Sequence, residues 1–238
     1  EVLVHERTIE SSSVEGGLSP YGGRAVALSD IVAVGPQQFF VTNNPRGIID
    51  KINIMLFHNS LGNVLYFDGE RYRVVADGID FGKGINIGAD NKVLYVATMR
   101  HGEMIAYETN LKPSGELQPE NVTLNELPPR VRLEGHLDNI EWLDGRKREL
   151  LVATHENLAT VELQRLRAPV ESASRIVRVG LADSGGFDKR AVKLLYANEG
   201  TQISAASVAT YYKDDKRERL IVGSLFGEGF LVCKFEAH

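Results

Sequence analysis

The sequence predicts an all-β fold of the propeller type, and three observations lead there. One strand–turn–strand pattern recurs four times along the 238 residues. Each copy is followed by further strand-length segments, giving units of about four short strands, and a four-stranded unit repeating every roughly 40–50 residues is a propeller blade. A composition of 43% hydrophobic and 25% charged residues with 23 Gly and 8 Pro describes a folded chain with many turns.

The four copies are DIVAVGPQQFFVTN from Asp30, GINIGADNKVLYVAT from Gly84, DNIEWLDGRKRELLVAT from Asp138 and ASVATYYKDDKRERLIVGS from Ala206. Each opens on an apolar strand after a polar residue, turns, and closes with a strand ending in a small residue. The corresponding apolar positions Ile31, Ile85, Ile140 and Val208 lie 54, 55 and 68 residues apart. The longer last interval predicts a loop insertion. The appended strand-like segments include MIAYE (104–108), NLATVEL (157–163) and GFLVCKF (229–235), and VLYFDGERYRVV (64–75) reads as a hairpin around Asp68-Gly69. The chain is accordingly read as a single propeller domain over 1–238, with about four blades.

Innermost strands start at the central channel, so Asp30, Lys83, Asp138 and Ser207 are expected to converge there. Two readings stand side by side. Asp and Asn before strands commonly serve as turn formers and entry caps, whereas equivalent polar positions meeting at one channel can build a site. GGLSPYGG (16–23), KPSGELQPENVTLNELPP (112–129) and the tract around ADSGGFDKR (182–190) read as connections. Asn121-Val122-Thr123 is a glycosylation sequon, meaningful only in a secreted protein. Between the first two units, Asn44 as N-cap, Pro45 at the first helical position, and Ile48, Ile49, Ile52, Met55 and Leu56 on one face predict a short amphipathic helix over 44–56. Packing on a mouth of the propeller, a lid over a channel site and peripheral lipid contact are its three readings.

Several function classes fall away. A formal net charge of −5 without a Lys/Arg stripe argues against nucleic-acid and anionic-membrane partners. Cys233 is the only cysteine, so no intrachain disulfide is available and the redox compartment stays open. No apolar run reaches membrane-spanning length and no signal-peptide pattern opens the chain. The start at Glu1 reads as a mature product or as a chain lacking its own beginning.

LSDIVAVGPQQFFVTN, VVADGIDFGKGINIGADNKVLYVA, LDNIEWL and the closing SVATYY, LIVGSLFGEGFLVC together resemble the serum paraoxonase/arylesterase family, in order, from about Leu28 to Cys233. The resemblance implies a six-bladed propeller holding two calcium ions, one structural and one catalytic. It implies hydrolysis of lactones and aryl esters, with phosphotriesters as a side activity, and an extracellular or secretory location. Asp138 and Asn139 fall on the adjacent pair that holds the catalytic calcium, an ion that takes 6–8 oxygen ligands. Asp30 matches a ligand of the structural calcium. Phe81, Leu225 and Phe226 fall near the apolar substrate wall, and His155 falls on a pocket histidine that is equally readable as a loop histidine bonded to backbone. Cys233 matches a cysteine whose disulfide partner lies upstream.

Departures from the pattern are as informative. Ser29 stands where the family has Asn, and it remains a possible oxygen ligand. Lys83 stands where the family has Asn in DFxNGIN, and an ammonium offers three donors and no acceptor. Lys83 therefore either swings away or pairs with Asp138 in place of the ion. The family's histidine dyad and an acidic pair have no counterpart before residue 28, and His5 in VLVHERTIE does not supply them. Three functional readings follow: a calcium-dependent lactonase/arylesterase, a non-catalytic binding propeller with the catalytic calcium lost, and a sugar-lactone hydrolase or strictosidine-synthase-like propeller. Oligomeric state is not legible.

Overall fold

In a computed structural model, residues 14–15, 27–44, 62–113, 116, 118–143, 145 and 147–235 are described. They form four open sheets in sequence order. The first contains β1 (Val14–Glu15), β2 (Ala27–Ala33), β3 (Phe39–Asn44), β4 (Gly62–Phe67) and β5 (Tyr72–Ile79), in the order β1-β5-β4-β3-β2. The second is β6 (Gly82–Ile87), β7 (Val93–Thr98), β8 (Glu103–Thr109) and β9 (Leu124–Arg132). The third is β10 (His136–Trp142), β11 (Glu149–His155), β12 (Ser174–Leu181) and β13 (Phe187–Asn198). The fourth is β14 (Ala206–Lys213), β15 (Glu218–Ser224) and β16 (Leu231–Lys234). Apart from the parallel β1–β5 pair, all pairing is antiparallel. These are propeller blades, and the four repeats of the sequence are their inner two strands.

The seams between blades make the core. Along β7, Leu94 and Val96 pack toward the first blade with Phe40, Tyr66 and Ile105. The alternate residues Tyr95 and Ala97 pack toward the third, with Leu137, Ile140, Val152 and Phe187. β11 repeats the arrangement, with Leu150 and Val152 facing back and Leu151 and Ala153 facing the fourth blade. Both faces being covered, these strands are near-continuous apolar runs rather than alternating ones. These side chains are buried, and each Leu, Val, Ile or Phe among them contributes about 1.5–3 kcal/mol relative to exposure. At the ends of the array the pattern relaxes: Ile31 is 58% exposed in β2, and Val232 is 52% exposed in β16.

Two connections differ from the sequence reading. NLATVEL is not a strand: Leu158–Arg165 forms helix α1. Asn157 caps it, its side-chain oxygen accepting from the Ala159 N–H at 2.8 Å, and only Val161 is buried. An Asn N-cap followed by helix-tolerant residues and a terminal Arg outweighs a single apolar alternation. α1 lies within the long interval between the last two repeats. The second half of KPSGELQPENVTLNELPP is likewise strand β9, not connection. It is an outermost strand, where prolines cost no ladder bond on the free side. The Asp68-Gly69 hairpin forms as expected, with Asp68 Oδ1 accepting from the Glu70 and Arg71 N–H groups at 2.8 Å each. Asn44 closes β3, and the amphipathic helix expected over 44–56, with its lipid-contact reading, lies beyond it, outside the described residues; so does His5.

Candidate active site

Each inner strand carries a bulge at the same place. Pairing breaks between Leu28 and Ile31, between Gly82 and Ile85, between Leu137 and Ile140, and between Ala206 and Val208. The inner strand has one more residue than its partner at each break, so Ser29-Asp30, Lys83-Gly84, Asp138-Asn139 and Ser207 are forced out of the ladder. Such bulges re-aim side chains. Pairing resumes at Ile31, Ile85, Ile140 and Val208, the four apolar positions that define the repeat. A small residue near the end of each second strand (Thr42, Ala97, Ala153, Gly223) sits opposite or beside the bulge.

At the third bulge, Asp138 is 2% exposed and His155, from the end of β11, is fully buried. His155 Nε2 donates to Asp138 Oδ2 at 3.0 Å. Lys83, from the second bulge, brings its Nζ to 3.9 Å from Asp138 Oδ1 and lies 5.9 Å from the centroid of the Phe81 ring. Two blades thus meet in one charged cluster with an aromatic wall. Phe81 is held at φ 55°, a left-handed conformation that is costly for an aromatic residue. Its backbone is tied at both ends, its N–H donating to Ile79 O and its carbonyl accepting from the Met99 N–H, each at 3.0 Å.

The approach of the blades depends on a glycine. A Cβ on Gly84 would stand 2.5 Å from the Ile140 nitrogen and 2.8 Å from the Asp138 carbonyl oxygen, both backbone atoms. Gly135, at φ 89°, likewise passes so close to the His155 carbonyl oxygen that a Cβ would meet it at 2.6 Å.

Asp30, at the first bulge, is treated differently. Its carboxylate accepts from the N–H groups of Ile31 and Ile85, each at 2.9 Å, and its own N–H donates to Thr42 Oγ1 at 3.1 Å. Burial pushes its pKa up, opposed by those two N–H groups and reinforced by the charge of Asp138. Glu141 is also raised, by burial first and then by Asp30, while the Trp142 N–H and Asn86 pull it down. Ser29 is exposed and Asn139 half-buried. Leu225 and Phe226, each 41% exposed, lie on the fourth blade just beyond Ser224, at the end of β15. Asn121 is exposed, its carbonyl accepting from Asn110 Nδ2 at 2.8 Å.

A second cluster was not singled out by the sequence reading. Buried Asp80, next to Phe81, lies 2.7 Å from His101 Nδ1 and 3.7 Å from Arg100. A cleft of about 560 Å³ lies alongside, lined by Arg100, His101, Arg132, Glu134, His136 and Glu156 among others. It does not include Lys83 or Asp138.

The donors around Asp138 do not fit a calcium ion. Calcium asks for 6–8 oxygens, yet one carboxylate oxygen of Asp138 faces an ammonium and the other an imidazole N–H. Asp30 feels the charge of Asp138, and Glu141 that of Asp30, but among the described residues no three His, Cys, Asp or Glu side chains converge on one ion.

Comparison with known proteins fixes the lineage. The arylesterase family model matches residues 24–235. The chain belongs to the arylesterase family. Serum paraoxonase/arylesterase 2 of Bos taurus is 30% identical over 210 residues, covering 87% of this chain and 53% of the relative. Serum paraoxonase/arylesterase 1 of Homo sapiens is 29% identical over 209 residues, with the same coverages. Mechanosensory abnormality protein 6 of Caenorhabditis elegans is 28% identical over 207 residues, covering 84% of this chain and 50% of the relative. The chain spans about half the length of these relatives. Among solved structures, a 6-phosphogluconolactonase candidate from Bacteroides uniformis superposes with a TM-score of 0.52 at 13% identity, covering 96% of this chain and 56% of that one, which supports the propeller fold.

Proposed function

We propose that the protein carrying this chain hydrolyses carboxylic esters and lactones, using the end of the inner strands where Lys83, Asp138 and Phe81 meet. The family match across all four blades is the observation that carries this reading. The chemistry available there supports it. An ammonium presents donors to the negative charge that develops on an ester carbonyl oxygen under attack by water, and preorganised donors of this kind are worth about 2.7–4 kcal/mol each in acyl-transfer sites. Phe81 offers an apolar wall to the acyl or aryl group. His155 is enclosed, with Nε2 committed to Asp138, so it positions Asp138 and does not itself meet substrate. Calcium has no part in this reading, because an ammonium stands against the carboxylate that would hold it.

The test is turnover of phenyl acetate and of medium-chain lactones by the full-length protein. Hydrolysis above the buffer rate that falls at least tenfold in Lys83→Met supports the reading. No turnover of either class sinks it in favour of a non-catalytic binding propeller in which Lys83 serves only to pair with Asp138. We place the protein in the secretory pathway or outside the cell, as the family resemblance implies. An exposed Asn121 sequon then accepts a glycan, visible as a mass decrease on enzymatic deglycosylation.

A further inference from the structure

We propose that the Lys83 ammonium is the resident cation of the Asp138 site, neutralising in this chain the carboxylate that would otherwise call for a divalent ion. The argument is one of charge and burial. Asp138 is 2% exposed, and an enclosed carboxylate persists only if paired. Its two oxygens have two partners from different blades, His155 Nε2 at 3.0 Å and Lys83 Nζ at 3.9 Å. The Lys83 ammonium stands at Asp138 with its side chain only 16% exposed, so the pair is not a solvated surface contact. The bulge at Lys83-Gly84 is what aims the side chain there, and Gly84 brings the Asp138 backbone within its reach. A lysine has no lone pair for a metal when charged, and a divalent ion at Asp138 would have to displace it. The inference rests on this geometry and not on the hydrolytic reading, so each can fail alone.

The experiment is thermal unfolding of the full-length protein, from chelator to millimolar calcium, for wild type, Asp138→Asn, Lys83→Asn and the double variant. Calcium is expected to shift wild type and Asp138→Asn equally, because no ion sits at Asp138. In chelator Lys83→Asn is expected to lose roughly 5 °C, the scale of about 1–2 kcal/mol in a domain of 150–250 residues, and to cost nothing further in the Asp138→Asn background. A calcium shift larger in wild type than in Asp138→Asn would overturn the proposal, as would a Lys83→Asn protein as stable in chelator as wild type. Lys83→Arg, which keeps the charge, is expected to keep both the midpoint and the calcium response, and the comparison of wild type with Asp138→Asn stands even if Lys83→Asn does not fold.

Discussion

Asp30 and Asp138 occupy bulges of the same kind two blades apart, yet their negative charges are met by different means. Asp30 is held by backbone N–H groups, one of them Ile85 from the next blade. Asp138 is held by side chains, the ammonium of Lys83 and the imidazole of His155. Backbone donors are supplied by the fold whatever the side chains are, and Asp30 beside them is only partly buried. Side-chain donors have to be encoded residue by residue, and here they meet a carboxylate that is 2% exposed. A bulge carboxylate can therefore be held by the backbone of the next blade or by side chains, and the neighbouring blade's sequence decides which.

The largest effect that would test this contrast is at Asp138. Asp138→Asn is expected to cost about 3 kcal/mol in urea unfolding, because it strands a mostly buried lysine opposite a neutral amide. A loss no greater than that of Asp30→Asn would break the distinction. Gly84→Ala comes next. Its methyl would collide with backbone rather than with a movable side-chain tip, so a loss of about 2 kcal/mol is expected, together with a weakened Lys83–Asp138 coupling in a double-mutant cycle. Asp30→Asn is expected to cost about 1.5 kcal/mol, since an amide can accept from one of the two N–H groups but turns a donor toward the other. It leaves the Asp138 cluster intact, so activity should fall less than in Asp138→Asn.

The smallest effect belongs to the rim, and it calibrates the others. Arg130 on β9 forks onto Glu126 at 2.7 and 2.8 Å, and that hydrogen bonding holds the Glu126 pKa below its usual value. The folded-state pKa being depressed, this stabilisation is present above the unfolded pKa near 4.5 and is lost as pH falls through the folded value. Glu126→Gln is expected to cost about 0.5 kcal/mol at pH 7, as exposed pairs do, and the difference from wild type should vanish in acid unfolding below the folded pKa. A rim variant as costly as Asp138→Asn would mean that burial does not set the scale.

Much of the fold was legible from spacing alone. Ile31, Ile85, Ile140 and Val208 were readable as equivalent because each must re-enter a ladder after the bulge, and a residue with that duty is apolar and recurs at blade period. The helix over 158–165 was not legible as such, because a single turn-length alternation in NLATVEL fits a strand as readily as a helix and only the Asn157 cap separates the two. β9 was hidden by Pro128 and Pro129, which read as loop until their edge position is known. The Asp80, His101 and Arg100 cluster gave no signal either, being assembled from two connections whose approach follows from the way the second blade closes.

The sequence by itself determined the all-β class, the four-fold repeat, the family and the identity of the polar residues at each bulge, since these depend on local period and on residue types at fixed offsets. It also posed the question of Lys83, whose chemistry forbids metal ligation, with two outcomes left open. Only the tertiary structure decided between them. Whether an ammonium swings into solvent or sits against Asp138 depends on how closely β6 and β10 approach, and that distance is set by packing across the seam and by the missing side chain of Gly84, neither of which is a property of the residues around Lys83 alone.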